Sequence, residues 1–235
     1  MTVPPPPWRN RQRRRAAKPA LSQELIVKTA LDILAAEGIS AVTMRRVAQA
    51  LETGPASLYA HVANKEELDE LMLDSVLSDL PLPEPDPARW AEQVKELLGH
   101  QVRAMTAYPG IARVAWSIAI PVSPNMLRHG ETMLALLRAG GLDLKQATYA
   151  ADSLSLYAKA YAYEASSWTW GDFDQKDMAE RSEQMEAYLQ SLPPAMFPNT
   201  LRIGEFFNAD TAGERFEFAL DMFLAGLKAL ANKNS

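Results

Sequence analysis

"TMRRVAQALETGPASLYAHVANKEEL", residues 43–68, starts and finishes as helical sequence but carries Gly-Pro near its middle. Thr43 suits the N-cap of "MRRVAQAL", because a hydroxyl there accepts a backbone N–H of the first turn. Met44, Val47, Ala48 and Leu51 give that helix one apolar face. Gly54 and Pro55 then break it, since glycine tolerates positive φ and proline is acceptable in a helix only within the first turn. The following piece, "ASLYAHV", is barely two turns long, and Asn64 opens another helix with Glu67 in capping-box position. A break and restart this close holds one short helix at a fixed angle to another.

Upstream, Ser22 caps "QELIVKTALDILAAEG", whose Ile26, Ala30, Ile33 and Leu34 form a stripe at helical spacing before Gly38 stops it. Residues 1–20 are a Pro- and Arg-rich arm with too little apolar content to fold alone. Downstream, "PLPEPDP", residues 81–87, cannot continue a helix and marks a junction. Helical periods follow at about 88–107, 110–119, 124–139, 143–168, 174–191 and 211–231, with no alternating β pattern and no internal repeat. The expected fold class is all-α: a helix-turn-helix domain over 21–80 and a larger helical domain over 88–235.

The net charge of -5 conceals an asymmetry: residues 1–65 carry +6 and residues 66–235 carry -11. A basic end on an acidic body suits a protein that offers one small face to a polyanion. Cysteine is absent, which excludes disulfides and thiolate metal sites and points to a reducing compartment. No apolar run reaches the roughly 18 residues of a membrane span, so a cytoplasmic protein without a membrane partner is expected. An Arg-rich, acid-free start also fits an organelle transit peptide.

Three short helices with a break between the second and third form a helix-turn-helix pattern, which places its third helix in the DNA major groove while the second crosses the backbone. A generic helical corner shows the same spacing. The residues themselves go further: over 22–72, and above all in "LYAHVANKEELDEL", the chain resembles the N-terminal domain of TetR-family transcriptional regulators, in particular the tetracycline-repressor branch. The resemblance implies that Thr43 offers a hydroxyl to phosphate, Arg45 forks onto a guanine edge and Arg46 meets phosphate. It further implies that Ser57 reads base or phosphate, that Tyr59 and His61 grip the backbone and that Lys65 pairs with phosphate. Leu58 and Val62 read as core. Pro55 and Ala60 stand where that branch has glutamine and tryptophan, so a different operator is expected. Arg13, Arg14 and Arg15 of the arm are candidates for the minor groove or for phosphates, or else form a solvated tail.

A head of this size reads only a few base pairs, so a homodimer on a palindromic double-stranded operator is expected. The family pairs two late helices per subunit, which makes Phe216, Ala219, Phe223, Gly226 and Leu230 the candidate dimer stripe, although such a stripe is equally well internal core. The region from "RWAEQVKELLGHQVRAM" to "GLDLKQATYAADSL" resembles the branch's ligand domain more loosely. The resemblance implies a small-molecule effector that releases a repressor from DNA, and the polar, aromatic and Met residues on these helices suit an aromatic or polycyclic one. His100, Arg103, Trp116, Met126, Met133, Asp152, Ser155, Tyr157 and Trp168 are the candidate lining, with His129 turned to solvent. Ala115 falls where that branch holds magnesium through a histidine, and a lone Glu164 makes no metal site, so neither metal nor cofactor is expected. No glycine-rich phosphate loop, nucleophile elbow or metal-spaced histidine pair is present, which argues against an enzyme. A helix-turn-helix regulator controlled by a partner protein instead of a ligand, or acting as an activator, is the alternative.

Overall fold

A computed structural model describes residues 20–108, 110–118, 122–170, 175–206 and 211–234. These residues form ten α-helices and no strand, the all-α class expected. Helix α1 (Gln23–Glu37) begins where Ser22 Oγ accepts the N–H of Leu25 at 3.2 Å, and buries Ile26, Val27, Ala30, Ile33 and Leu34. Gly38, at φ 81°, ends it by donating to the Leu34 carbonyl at 3.0 Å. One 3-10 turn (Ile39–Ala41) delivers the chain to Thr43, whose hydroxyl accepts the Arg46 N–H at 3.1 Å and starts α2 (Met44–Ala50).

The break after α2 has a different backbone from the one glycine suggests. Gly54 is extended at φ -80°, and the left-handed residue is Glu52, at φ 50°. The N–H of Thr53 reaches the Ala48 carbonyl at 2.9 Å and that of Glu52 reaches Gln49 at 3.0 Å, a Schellman ending with glutamate in the place glycine usually takes. That position costs a non-glycine residue roughly 1–2 kcal/mol. Helix α3 (Pro55–Leu58) is a single turn, shorter than the sequence suggests, because His61 and Val62 both donate to the Leu58 carbonyl at 2.9 Å while Leu58 and Val62 turn into the core. Helix α4 (Lys65–Leu77) is capped by Asn64, which accepts the Glu67 N–H at 2.7 Å; the Glu67 carboxylate takes the N–H of Ala63, one residue outside the cap.

The larger part comprises α5 (Trp90–Ala107), α6 (Ile111–Ser117), α7 (Pro124–Ala139), α8 (Leu144–Trp170), α9 (Gln175–Gln190) and α10 (Ala212–Asn234). Helices α5, α7 and α8 pack on one another, and α6 fits between α8 and α4. The proline-rich segment before α5 is strapped down: the buried Gln93 amide donates to the Glu84 carbonyl at 2.7 Å and accepts the Asp86 N–H at 2.9 Å. Helix α10 lies on α8 and α5 through Tyr157, Tyr161, Phe216 and Phe223, with Tyr157 and Phe216 stacked at 5.7 Å. Lys95 of α5 pairs with Glu217 and Asp221 at 2.8 Å each.

Helix α4 belongs to both parts, packing on α1 at one side and on α5, α6 and α7 at the other. Its union with α7 is polar. Ser123 is the N-cap residue of α7 but makes no capping hydrogen bond, and its hydroxyl is buried without a partner. Asp74 of α4 does the capping instead: its carboxylate accepts the N–H of Asn125 at 2.8 Å and of Met126 at 3.3 Å, and the Asn125 side-chain amide at 2.9 Å. One turn later His129, expected at the surface, is buried. Its Nε2 lies 3.0 Å from the Leu77 carbonyl and its Nδ1 3.1 Å from Gln101 Nε2. A carbonyl only accepts and an amide NH2 only donates, so the ring is neutral with its proton on Nε2.

Two stability predictions follow from these contacts. A Cβ at Gly140 would lie 2.5 Å from the Trp90 ring, whereas at Gly130, also on α7, it would meet nothing within 4 Å. Gly140→Ala is expected to lose about 1–3 kcal/mol by overpacking, and Gly130→Ala to gain about 0.5–1 kcal/mol by restricting the unfolded chain, as read by denaturant unfolding. Burial pushes the His129 imidazole below its ordinary value of 6.5. The unfolded state then binds the proton more readily, so the contribution of His129 is complete above that value and declines as pH falls below it. The stability difference between wild type and His129→Gln should therefore be constant above about pH 7 and shrink below about pH 6.5; a constant difference down to pH 5 would contradict this.

Candidate nucleic-acid interface and ligand cavity

Thr43, Arg45, Ser57 and Tyr59 are exposed, contributed by the cap and first turn of α2, by α3 and by the residue ending it. His61 is half-buried, and its carbonyl accepts Gln23 Nε2 of α1 at 3.1 Å, which ties the end of the α3 turn to the first helix. Two of the cations assigned to phosphate already have partners in this chain. Arg46 holds Glu37 at the end of α1 through both Nε, at 3.1 Å, and a terminal nitrogen. That contact holds the Glu37 carboxyl below its usual range and the guanidinium above its own. Lys65 pairs with Asp69 one turn along α4. Among the described residues, Arg45 is the cation of α2 that faces water with no ion pair. Arg13, Arg14 and Arg15 lie outside the described residues.

Between α4, α5, α6, α7 and α8 is a cavity of about 380 Å³. Leu73 and Leu77 of α4, Met105 of α5, Ala115 of α6, and Met126 and Met133 of α7 supply its apolar wall. Helix α8 contributes Thr148, Asp152, Ser155 and Lys159, while Gln101 and His129 add polar atoms opposite. Among the described residues no group of three or more His, Cys, Asp or Glu comes close enough to hold a metal ion.

Of the residues read from sequence as lining, Met126, Met133, Asp152 and Ser155 are at the cavity, and Ala115, where the resemblance has its metal-holding histidine, is there too. His100 is half-buried, and Arg103 and Trp116 are exposed; none of the three lines the cavity. The inward stripe of α5 runs through Leu97, Leu98, Gln101, Val102 and Met105, so Gln101 and Met105 occupy the positions assigned to His100 and Arg103. The apolar spacing of Leu97, Leu98, Val102 and Met105 is readable in the sequence, and it places Gln101, one residue past His100, and Met105, two past Arg103, on the inward face. Tyr157 lies in the α8–α10 seam instead, and the side chain of Trp168 lies outside those described. Leu73 and Leu77 carry no sequence signal beyond their helix's core stripe, and Lys159 reads as an ordinary surface charge.

Of the five α10 residues read as a candidate dimer stripe, three turn inward. Phe216 and Ala219 are buried inside the subunit and Phe223 packs on Tyr157, because α8 and α5 take that face. Gly226 and Leu230 stay outside, together with Phe218, 65% exposed, and Met222, 58% exposed. On α8 the exposed large apolar residues include Leu144, Tyr149, Leu156 and Tyr163.

Comparison with known proteins agrees with this architecture. Residues 26–70 match the family described as bacterial regulatory proteins, tetR family, and residues 82–231 match the tetracyclin repressor-like C-terminal domain. The structure of ActR from Streptomyces coelicolor in complex with actinorhodin superimposes with a TM-score of 0.82 at 42% identity, over 92% of this chain and all of that one. The transcriptional repressor DrrR1 of Streptomyces coeruleorubidus is 30% identical over 92% of this chain and 80% of its own. The class C tetracycline repressor protein of Escherichia coli is 26% identical over 89% and 92% respectively. With both halves of its length matched and a helix-turn-helix head joined to a helical cavity domain, the chain belongs to the TetR family of bacterial transcriptional regulators.

Proposed function

We propose that this protein is a cytoplasmic, homodimeric repressor that binds a palindromic operator and leaves it when a small aromatic or polycyclic effector enters the cavity between α4 and α8. The observation that carries this reading is the double membership of α4. Its first residue, Lys65, stands in the head, and its last turns supply Leu73 and Leu77 to the cavity wall. Thirteen residues span about 20 Å of rigid helix. A compound that displaces Leu77 or His129 moves the same rod that positions the head. Whatever factor the effector costs DNA affinity, DNA costs effector affinity. ActR, bound to actinorhodin in the similar structure, supports a polycycle as the effector class.

Thr43, Arg45 and Ser57 face bases and phosphate, with Tyr59 and His61 on the backbone and the arm residues Arg13, Arg14 and Arg15 adding charge. Lys65 and Arg46 engage phosphate by exchanging Asp69 and Glu37 for it. Two copies meet through the outward faces of α8 and α10, where Leu156, Tyr163, Phe218 and Met222 expose apolar surface that a monomer would leave in water. No helix among the described residues is long and apolar enough to cross a membrane. The reading assigns the chain no catalytic role.

An operator selected from random-sequence DNA should show two half-sites related by a dyad. Arg45→Ala should relax preference at one position of each, while Lys65→Ala should weaken all sequences alike and lower the salt slope by about one; a single undivided site, or identical behaviour of the two variants, would contradict the reading. Titration of the operator complex with actinorhodin should release DNA. Asp74→Ala, which removes the α4–α7 cap, should reduce the factor by which the compound weakens DNA binding by about tenfold, a coupling loss of about 1.4 kcal/mol; an unchanged factor would show that α4 is moved by other contacts.

A further inference from the structure

The cavity contains two hydrogen-bond donors that the chain itself leaves unused. On α8, Thr148 and Ser153 fold their hydroxyls back onto the carbonyls of Leu144 and Tyr149 at 2.8 and 2.9 Å, and Ser166 does the same onto Ala162. Ser155, which lines the cavity, makes no such bond among the described residues. Lys159, one helical turn further on, also lines the cavity, half-buried, and forms no ion pair or hydrogen bond among them. Two cations against α10 do have acidic partners: Lys95 has Glu217 and Asp221, and Arg215 has Glu164.

Residues four apart on a helix present their side chains on one face, one above the other. Ser155 and Lys159 thus offer a hydroxyl and an ammonium to one point in the cavity. The opposing polar groups do not satisfy them, because His129 and Gln101 are engaged with each other and with Leu77. The one carboxylate in the lining is Asp152, exposed to water and two turns, about 10 Å, along α8 from Lys159. Apart from Thr148, whose hydroxyl donates to the Leu144 carbonyl, the rest of the wall is apolar: leucine, isoleucine, methionine, alanine and one glycine. An ammonium held against such a wall with no counter-charge favours a ligand that brings its own, and a charge-assisted hydrogen bond in a low-dielectric site is about twice as strong as a neutral one.

We infer that the effector is an organic acid: an aromatic or polycyclic ring system whose carboxylate is received by Lys159 and Ser155 while its rings lie against Met105, Met126 and Met133. This rests on the reading of the cavity as the effector site. It adds to that reading the charge of the ligand and the two residues that select it.

The experiment is calorimetric titration of the full chain with anthraquinone-2-carboxylate and with anthraquinone-2-carboxamide, which match in shape and differ in charge. The wild type should bind the acid at least about tenfold more tightly than the amide. In Lys159→Met the two should bind alike, and Lys159→Arg should restore the preference, which also shows that the site survives substitution. Equal binding of acid and amide by the wild type overturns the acid class and leaves the cavity reading intact. Binding of neither overturns both. A preference for the acid that persists undiminished in Lys159→Met overturns the assignment of the charge to that residue.

Discussion

Helix α7 has no cap of its own, and the structure depends on how that deficit is met. Ser123 occupies the capping position without making the bond, and Asp74 reaches across from α4 to receive the first free N–H groups of α7. A carboxylate at a helix N-terminus is favoured by both the unpaired amides and the helix dipole. Because the donor of that carboxylate is α4, the helix that leaves the DNA-binding head cannot shift without uncapping a wall of the cavity. His129 repeats the linkage one turn later by donating to the last carbonyl of α4. Two polar contacts therefore join two parts that apolar packing alone would leave free to slide.

The electrostatics of the head follow a related economy. Arg46 and Lys65 are each held by a carboxylate of the same chain, Glu37 and Asp69. The Arg46–Glu37 pair is exposed, so water screens both partners and it contributes little to stability, while Lys65–Asp69 is partly buried. Arg45, exposed on the first turn of α2, makes no such pair among the described residues. In the cavity the arrangement is the reverse: Lys159 sits against apolar wall, where a charge is only weakly screened and the identity of its partner matters more.

Helix α8 meets three different surroundings with three faces. The inward face of α8 carries Thr148, Ser155 and Lys159 to the cavity, its lateral face carries Tyr157 and Tyr161 to α10, and its outward face carries Leu156 and Tyr163 to water. A twenty-seven-residue helix with small alanines between these groups serves all three without a break.

The amino-acid sequence by itself determined what is local. Ser22, Thr43 and Asn64 cap the helices they were expected to cap, the apolar stripes of α1 and α2 turn inward, and Leu58 and Val62 are core. Capping and helical periodicity involve residues three or four apart, so they can be read without knowing the neighbours. The motif around Gly54-Pro55 was likewise sufficient for the family. Tertiary structure decided what requires a partner distant in the chain: that Asp74 caps α7 and that His129 is buried. It also decided which of two apolar faces on α10 is inside. "ERFEFALDMFLAGL" is apolar around much more than half its circumference, so periodicity leaves its rotation open until α8 and α5 cover Phe216 and leave Phe218 to water.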